Sequence, residues 1–317
     1  MQGHVMQKFA LVFPGQGSQK LGMLNSLASK HPVVRETFTA AAAVIDQDLW
    51  EISQHDGDNS LDQTHITQPV LLAASVAIWR LWQQRGGRLP AVMAGHSLGE
   101  YSALVCAGVL EFTDAIKLVH QRGQLMQSVL APGQGKMAAI VGLENYQINE
   151  ICDQAASGQV VSAANFNCPG QTVIAGDIDA VERAMVLCKE AGAKRALSLR
   201  VSVPSHCALM LPAAEKLALE LDRVKFSPAA IPVVQNVVAE LCKEPEIIKQ
   251  NLIKQLYHPV LWVDSVRIIY QAGINKIVEC GPGKVLCGLI KRIEPELLCC
   301  GSDDPQSLES AIAEVST

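Results

Sequence analysis

Ala91-Val92-Met93-Ala94-Gly95-His96-Ser97-Leu98-Gly99-Glu100 is the stretch on which the fold turns. A short apolar run ends in a glycine-flanked turn, and helix-compatible sequence follows from Tyr101 to a glycine stop at Gly108. Residues 95–99 fit G-x-S-x-G, which between a strand and a helix is a nucleophile elbow. So sharp a turn leaves no room for side chains on its flanks, hence the two glycines. The serine is pushed out at the head of the strand. It stands at a helix N-terminus, where free N–H groups stabilise developing negative charge. Taken alone, the pattern also fits an ordinary turn with a surface serine; the flanking strand and helix favour the elbow.

Toward the N-terminus, an unbroken apolar run predicts a buried strand over 8–13. It runs into Pro14-Gly15-Gln16-Gly17-Ser18-Gln19. A two-glycine loop after a first strand belongs at the carboxyl edge of a sheet, where open α/β folds bind ligands. It is not G-x-G-x-x-G, so we read no dinucleotide site. Gln16, between two glycines, is placed to offer a backbone N–H to a ligand; a plain turn is the alternative. Helical periodicity covers 21–48, and 56–59 is a polar loop. A strong helix is predicted over 69–84, with Pro69 in its first turn and Gly86-Gly87 as its stop. Beyond the elbow, a helix over 113–130 carries His120 and Arg122.

Pro132-Gly133-Gln134-Gly135 breaks the pattern. A strand over 136–141, a helix over 144–155, strands over 160–165 and 171–175, a helix over 179–191 and a strand over 195–199 follow. That β-α-β-β-α-β order is the ferredoxin-like signature. The chain returns through the loop Val201-Ser202-Val203-Pro204-Ser205-His206-Cys207. Helices are predicted over 208–221, 247–256 and 262–271, and strands over 231–234 and 276–279. Gly281-Pro282-Gly283 opens a helix that reaches Arg292; it resembles a phosphate cradle faintly, and we read it as a structural turn. After Pro305 there is one short helix or a fraying end.

Composition narrows the function. The 317 residues are 49% hydrophobic and 18% charged, enough for one large domain or two unequal ones with a sizeable core. Aromatics are 4%, so Ala, Val, Leu and Ile must fill that core. A formal net charge of −5 argues against a general nucleic-acid surface. No run reaches the ~18 apolar residues of a membrane span. The first six residues hold no apolar signal core, and Met6 is a candidate natural start with residues 1–5 as an added leader. The ten cysteines include no C-x-x-C and no zinc spacing, so no metal site is expected. We read them as reduced, buried thiols of a cytoplasmic protein rather than a disulfide framework.

A serine hydroxyl is a poor nucleophile until a base takes its proton, and histidine is the usual base. His96 adjoins Ser97 but should point away from it. His120 is mid-helix, with packing as its expected role. His206 sits in an irregular loop after a strand, where α/β-hydrolase-type folds place the base. Asp177 follows a strand and could serve as a triad acid, though its position puts it in the β-α-β-β-α-β unit.

Phe13-Pro14-Gly15-Gln16-Gly17-Ser18-Gln19, Gly95-His96-Ser97-Leu98-Gly99-Glu100, Gln121-Arg122-Gly123, residues 165–170, Pro204-Ser205-His206 and Glu279-Cys280-Gly281-Pro282-Gly283 occur in one order. Together they resemble the malonyl-CoA:acyl-carrier-protein transacylases of bacterial fatty acid synthesis, from about Phe9 to about Arg292. The resemblance implies an α/β-hydrolase-like core with a parallel sheet, built from 7–130 and 201–305, a ferredoxin-like subdomain inserted at 131–200, and a C-terminal tail at 306–317. It implies ping-pong transfer of malonyl from malonyl-CoA to the phosphopantetheine thiol of an acyl carrier protein. Ser97 then resembles the nucleophile, and His206 the base that later acts as acid. The backbone N–H groups of Gln16 and Leu98 resemble the oxyanion hole, and Arg122 the clamp on the malonyl carboxylate. Gln255 matches the position whose carbonyl orients the histidine, so no carboxylate is needed there. Arginine suits the clamp because its fork binds carboxylate in two places and stays charged; a surface charge or structural ion pair is the alternative. Pro204-Ser205-His206 resembles the malonyl-selective form of its loop.

By the same resemblance malonyl-CoA is a substrate, and no cofactor is expected. A small acidic carrier would be steered by local basic residues, for which Lys194-Arg195 and Lys291-Arg292 are candidates. Solvated surface charge is the alternative. No nucleic-acid or membrane partner is expected, and we expect a monomer. Three rivals stand beside this reading: a polyketide-pathway acyltransferase, a serine thioesterase or hydrolase on the same elbow, and a non-catalytic carrier-binding module.

Overall fold

The computed structural model describes residues 7–57, 59–131, 133–199, 201 and 203–316. Met6 and the expected leader lie outside the described residues, as do Asp58, Pro132 and Ser202 of the three predicted loops.

The strands are β1 (Phe9–Phe13), β2 (Val92–Gly95), β3 (Gly135–Val141), β4 (Val161–Cys168), β5 (Gln171–Asp177), β6 (Arg195–Ser198), β7 (Val233–Gln235), β8 (Glu240–Cys242), β9 (Lys276–Glu279) and β10 (Leu298–Gly301). The larger sheet runs β10-β9-β1-β2-β7-β8. Its first five strands pair in parallel, and β8 closes one edge antiparallel to β7. A parallel sheet is covered on both faces, so its strands read as continuous apolar runs. In β1, Phe9, Leu11 and Phe13 face the helix Thr64–Gln84, while Ala10 and Val12 face the helices Trp262–Gln271 and Val285–Ile293. Phe13 pairs with Gly95, so the β1 loop and the elbow emerge level at the same edge.

The smaller sheet runs β4-β5-β3-β6, wholly antiparallel, with helices Asn145–Ala156 and Ile178–Glu190 on one face. This is the ferredoxin-like order. It is laced to the core where Phe166 N–H donates to Val260 O and Val260 N–H to Ala164 O.

Several elements differ from the sequence reading. Pro69 is an interior residue of the helix Thr64–Gln84, not part of its first turn. A mid-helix proline donates no N–H and releases the carbonyl four residues earlier. Here that carbonyl belongs to His65, and the His120 ring Nδ1 donates to it at 2.8 Å. The expected packing role of His120 is thus a specific hydrogen bond. The periodic stretch over 21–48 is two helices, Asn25–Ala28 and Pro32–Ile45, the second ending at Asp46 with φ 53°. Strands β8 and β10 are too short to show alternation and were not predicted. Cys287 and Cys299 are joined in a disulfide, against the expectation of ten reduced thiols, because β10 brings Cys299 beside the helix Val285–Ile293 with the Cα atoms 5.2 Å apart. The other eight are free. Among the described residues no helix is long and apolar enough to cross a membrane.

Candidate active site

The elbow is built as its glycines require. A Cβ on Gly95 would lie 1.9 Å from the Gly99 carbonyl carbon, and one on Gly99 would lie 2.0 Å from Phe13 O. Ser97 sits between them at φ 51°, ψ −108°, a strained conformation for a non-glycine residue. That strain swings its side chain off the helix Leu98–Cys106, which it does not cap, and toward His206. Ser97 Oγ lies 2.8 Å from His206 Nε2. His206 itself has φ 63°, and its Nδ1 donates to the Gln255 carbonyl at 2.6 Å. The bond fixes the tautomer and leaves Nε2 as the acceptor for the serine proton. Burial, with the Arg122 charge adding to it, pushes His206 down to about 3 and keeps it neutral.

Gln16 and Leu98 line the same cavity as Ser97 and His206. Among the described residues their backbone N–H groups have no hydrogen-bond partner. Two free donors beside a serine–histidine pair can hold the oxyanion of a tetrahedral intermediate.

Arg122 is 1% exposed and reaches this cavity from the helix Phe112–Gln127. Its Nη1 donates to Gln68 Oε1 and its Nη2 to Gln255 Oε1, both at 2.9 Å. Nε has no partner, and the guanidinium makes no ion pair among the described residues. Burying a charge on neutral amides is costly, and burial lowers its affinity for its proton. Glu100 and Tyr101 act on the guanidinium without forming an ion pair with it, so Arg122 offers this cavity a cation that can meet a small anion.

These residues lie on the acyl transferase domain pattern, which matches residues 10–292. A malonyl CoA-acyl carrier protein transacylase of Salmonella typhimurium is 53% identical over 98% of this chain and 100% of its own. The chain belongs to the malonyl CoA-acyl carrier protein transacylase family. A family member from Bacillus subtilis is 42% identical, covering 97% of each chain. The solved acyl carrier protein S-malonyltransferase of Vibrio cholerae superposes with a TM-score of 0.94 at 57% identity, over 96% of this chain and 99% of that one. A malonyl-transacylase solved in complex with a type II PKS acyl-carrier protein superposes at 0.96 with 53% identity, over 97% and 100%.

Within this family frame three further residues hold the site, and the sequence reading missed them. Asn236 accepts the Ser97 N–H on Oδ1 and donates from Nδ2 to Gly95 O, each at 2.7 Å. Glu100, 1% exposed, accepts the Asn236 N–H and the Gln255 side-chain amide on Oε2. Burial raises its carboxyl to about 7. Gln68 holds Arg122. The signals were present: a polar Gln235-Asn236 pair ending an apolar strand, a glutamate three residues after the nucleophile, and a glutamine inside an apolar helix.

The remaining candidates take no part in the serine–histidine pair, although His96 lines the same cavity. His96 turns to Asn167, with Nε2 2.8 Å from Oδ1. Asp177 accepts the Val160 N–H, so the histidine's partner is a carbonyl and not this carboxylate. The Gly281-Pro282-Gly283 turn is structural: Glu279 accepts the N–H groups of Leu286 and Cys287, Asp303 accepts that of Gly283, and an anion finds those donors taken. Lys194, Arg195, Lys291 and Arg292 are all exposed. Arg195 stands opposite Val141, which stands opposite Gln171, and Arg292 donates to the Gln171 side chain and to Pro169 O. The two pairs therefore share one end of the smaller sheet.

Proposed function

We propose that this protein transfers malonyl from malonyl-CoA to the phosphopantetheine thiol of an acyl carrier protein through a malonyl ester on Ser97. The observation that carries the reading is a serine–histidine pair sharing one cavity with a buried arginine that has no carboxylate partner of its own. A plain hydrolase needs the first feature and not the second.

The steps follow from the atoms. The malonyl carboxylate docks on Arg122. Ser97 Oγ attacks the thioester carbon while His206 Nε2 takes its proton. The Gln16 and Leu98 N–H groups receive the oxyanion, each worth ~3 kcal/mol in such sites. The C–S bond breaks, and the proton on Nε2 passes to the departing sulfur. The carrier thiol then repeats the sequence in reverse, giving its proton to His206 as it attacks the ester. Pairing Arg122 with a substrate carboxylate also offsets one of the influences that depress His206, second to burial. The base strengthens when the acyl group brings a negative charge, and an acetyl group lacks that help.

Side chains and backbone donors supply every proton, nucleophile and charge in this scheme, so we propose no cofactor. Lys194, Arg195, Lys291 and Arg292 form the side on which an acidic carrier would dock. The eight free thiols favour the cytoplasm as the compartment. Fatty acid synthesis is the pathway we favour; a polyketide carrier is the second reading, because one relative of 53% identity is solved with such a carrier.

The test is intact mass after mixing with malonyl-CoA alone, followed by peptide mapping. A malonyl adduct on Ser97 supports the reading. Free coenzyme A without an adduct points to hydrolysis, and neither product rejects the donor.

A further inference from the structure

Ser97-Leu98-Gly99-Glu100 has the S-x-x-E spacing of a helix capping box, in which serine caps the N3 amide and glutamate reaches back to the N-cap amide. Neither bond is made. Ser97 Oγ is turned to His206, and the Ser97 N–H goes to Asn236 Oδ1. The Glu100 carboxylate points inward instead. One oxygen accepts both the Asn236 N–H at 3.1 Å and Gln255 Nε2 at 2.8 Å, and the other has no partner among the described residues. Burial makes the charged form of this carboxyl costly, and its two hydrogen bonds offset part of that cost.

Both groups it holds bear on the reacting atoms. Asn236 grips the elbow at Gly95 O and Ser97 N–H, in the turn that leads into the strained serine. Gln255 Nε2 also donates to Ser97 O, its Oε1 accepts Arg122, and its backbone carbonyl accepts His206 Nδ1. Each of these amides can rotate or flip, and a flipped Gln255 would turn an NH₂ toward the guanidinium. Oε2 accepts two N–H groups while Oε1 is unpartnered, so a proton on this carboxyl would sit on Oε1 and Oε2 would still face Gln255 Nε2 as an acceptor, which disfavours that flip in either protonation state.

We propose that Glu100 is a positioning residue: by accepting Asn236 and Gln255 together, it fixes the amide orientations that keep Ser97, His206 and Arg122 in register. The proposal rests on the malonyl-transfer reading for its substrate, and one readout below is independent of it.

The experiment compares the wild-type chain with Glu100→Gln and Glu100→Met, after equal melting curves show that each folds. Single-turnover acylation is measured with malonyl-CoA and with acetyl-CoA, and Ser97 labelling with a fluorophosphonate. Methionine keeps length and burial but offers only a weak thioether acceptor. With both bonds to the Glu100 carboxyl lost, malonyl acylation should fall about 100-fold. The malonyl-to-acetyl ratio should fall about tenfold as Arg122 loses its fixed partner. Glutamine keeps an acceptor oxygen and should restore most of the rate, within about fivefold of wild type. Glu100→Ala replaces the methionine variant should that one not fold. Wild-type rates in the methionine variant, or an equal loss of malonyl and acetyl transfer in both variants, would overturn the proposal. Fluorophosphonate labelling needs no acyl donor. If wild type takes up no malonyl, the substrate reading fails; slowed labelling in the methionine variant still supports Glu100, and unchanged labelling rejects it.

Discussion

Two strand–turn–helix units flank β1 at one edge of the sheet, and they finish in opposite ways. β2 leads through the elbow into Leu98–Cys106, and β9 leads through Gly281-Pro282-Gly283 into Val285–Ile293. Both press a glycine against the β1 loop: Gly99 beneath Phe13 O, and Gly281 against the Pro14 ring. The β9 unit fills its own helix start with the Glu279 carboxylate and uses Asp303 to hold the turn. The β2 unit leaves the Leu98 N–H open, spends its serine on His206, and hands the serine's amide to Asn236. A filled helix N-terminus stabilises the fold, whereas an open one is free to meet charge on a ligand. The same local pattern becomes a structural corner or a reactive one according to where the nearest carboxylate points.

The strongest way to break this contrast is at the open end. Ser97→Ala should lower acylation by about 10⁴-fold or more while leaving the melting temperature nearly unchanged, measured as malonyl adduct by mass. Next in size, Arg122→Ala should cut malonyl transfer by about 100- to 1,000-fold, since the substrate carboxylate would be buried unpaired. Acetyl transfer should be spared; equal losses for the two donors would sink the clamp role. A smaller effect concerns pH. His206 is held well below 6.5, so the acid limb of kcat/KM for malonyl-CoA should lie far below that value. A base with an ordinary histidine pKa would lose about tenfold between pH 7.5 and 5.5, and that loss would contradict the burial argument.

At the filled end the expectation reverses. Glu279→Gln keeps one acceptor and loses another, so it should cost about 1–2 kcal/mol of stability by denaturant titration while acylation changes less than about twofold. Glu279 also carries a sign. Burial raises it from 4.5 to about 7 in the folded chain. The folded state then holds the proton more tightly, so the contribution is full below 4.5 and is lost as pH rises through 7. His206 acts oppositely over its own window, losing stability as pH falls from 6.5 toward 3. Subtracting the Glu279→Gln stability profile from that of wild type isolates the falling slope.

Much of the architecture was legible because its signals are local. The continuous apolar run of β1, the glycine pair of the elbow and the β-α-β-β-α-β order each follow from neighbouring residues. Pro69 misled, because a proline usually starts a helix; only the His120 ring, from a different helix, makes an interior one tolerable. Strands β8 and β10 have three and four residues, too few for a period of two to register. The Cys287–Cys299 link escaped for the same reason, since its geometry depends on β10.

Ser97 was readable as a candidate nucleophile from five consecutive residues, and Gln16 as a backbone donor from its two flanking glycines. The choice of His206 among eight histidines came from its loop and from family resemblance. What only the folded chain decided is the web of acceptors behind them. Asn236 meets Ser97 across 139 positions, and Gln255 meets Glu100 across 155. A capping-box spacing pointed to local bonds that the structure does not make. In a buried site an unmet donor is costly, and for the Ser97 amide that cost outweighs local preference. Which acceptor lies within reach is set by how distant segments pack, and that is decided by the tertiary structure alone.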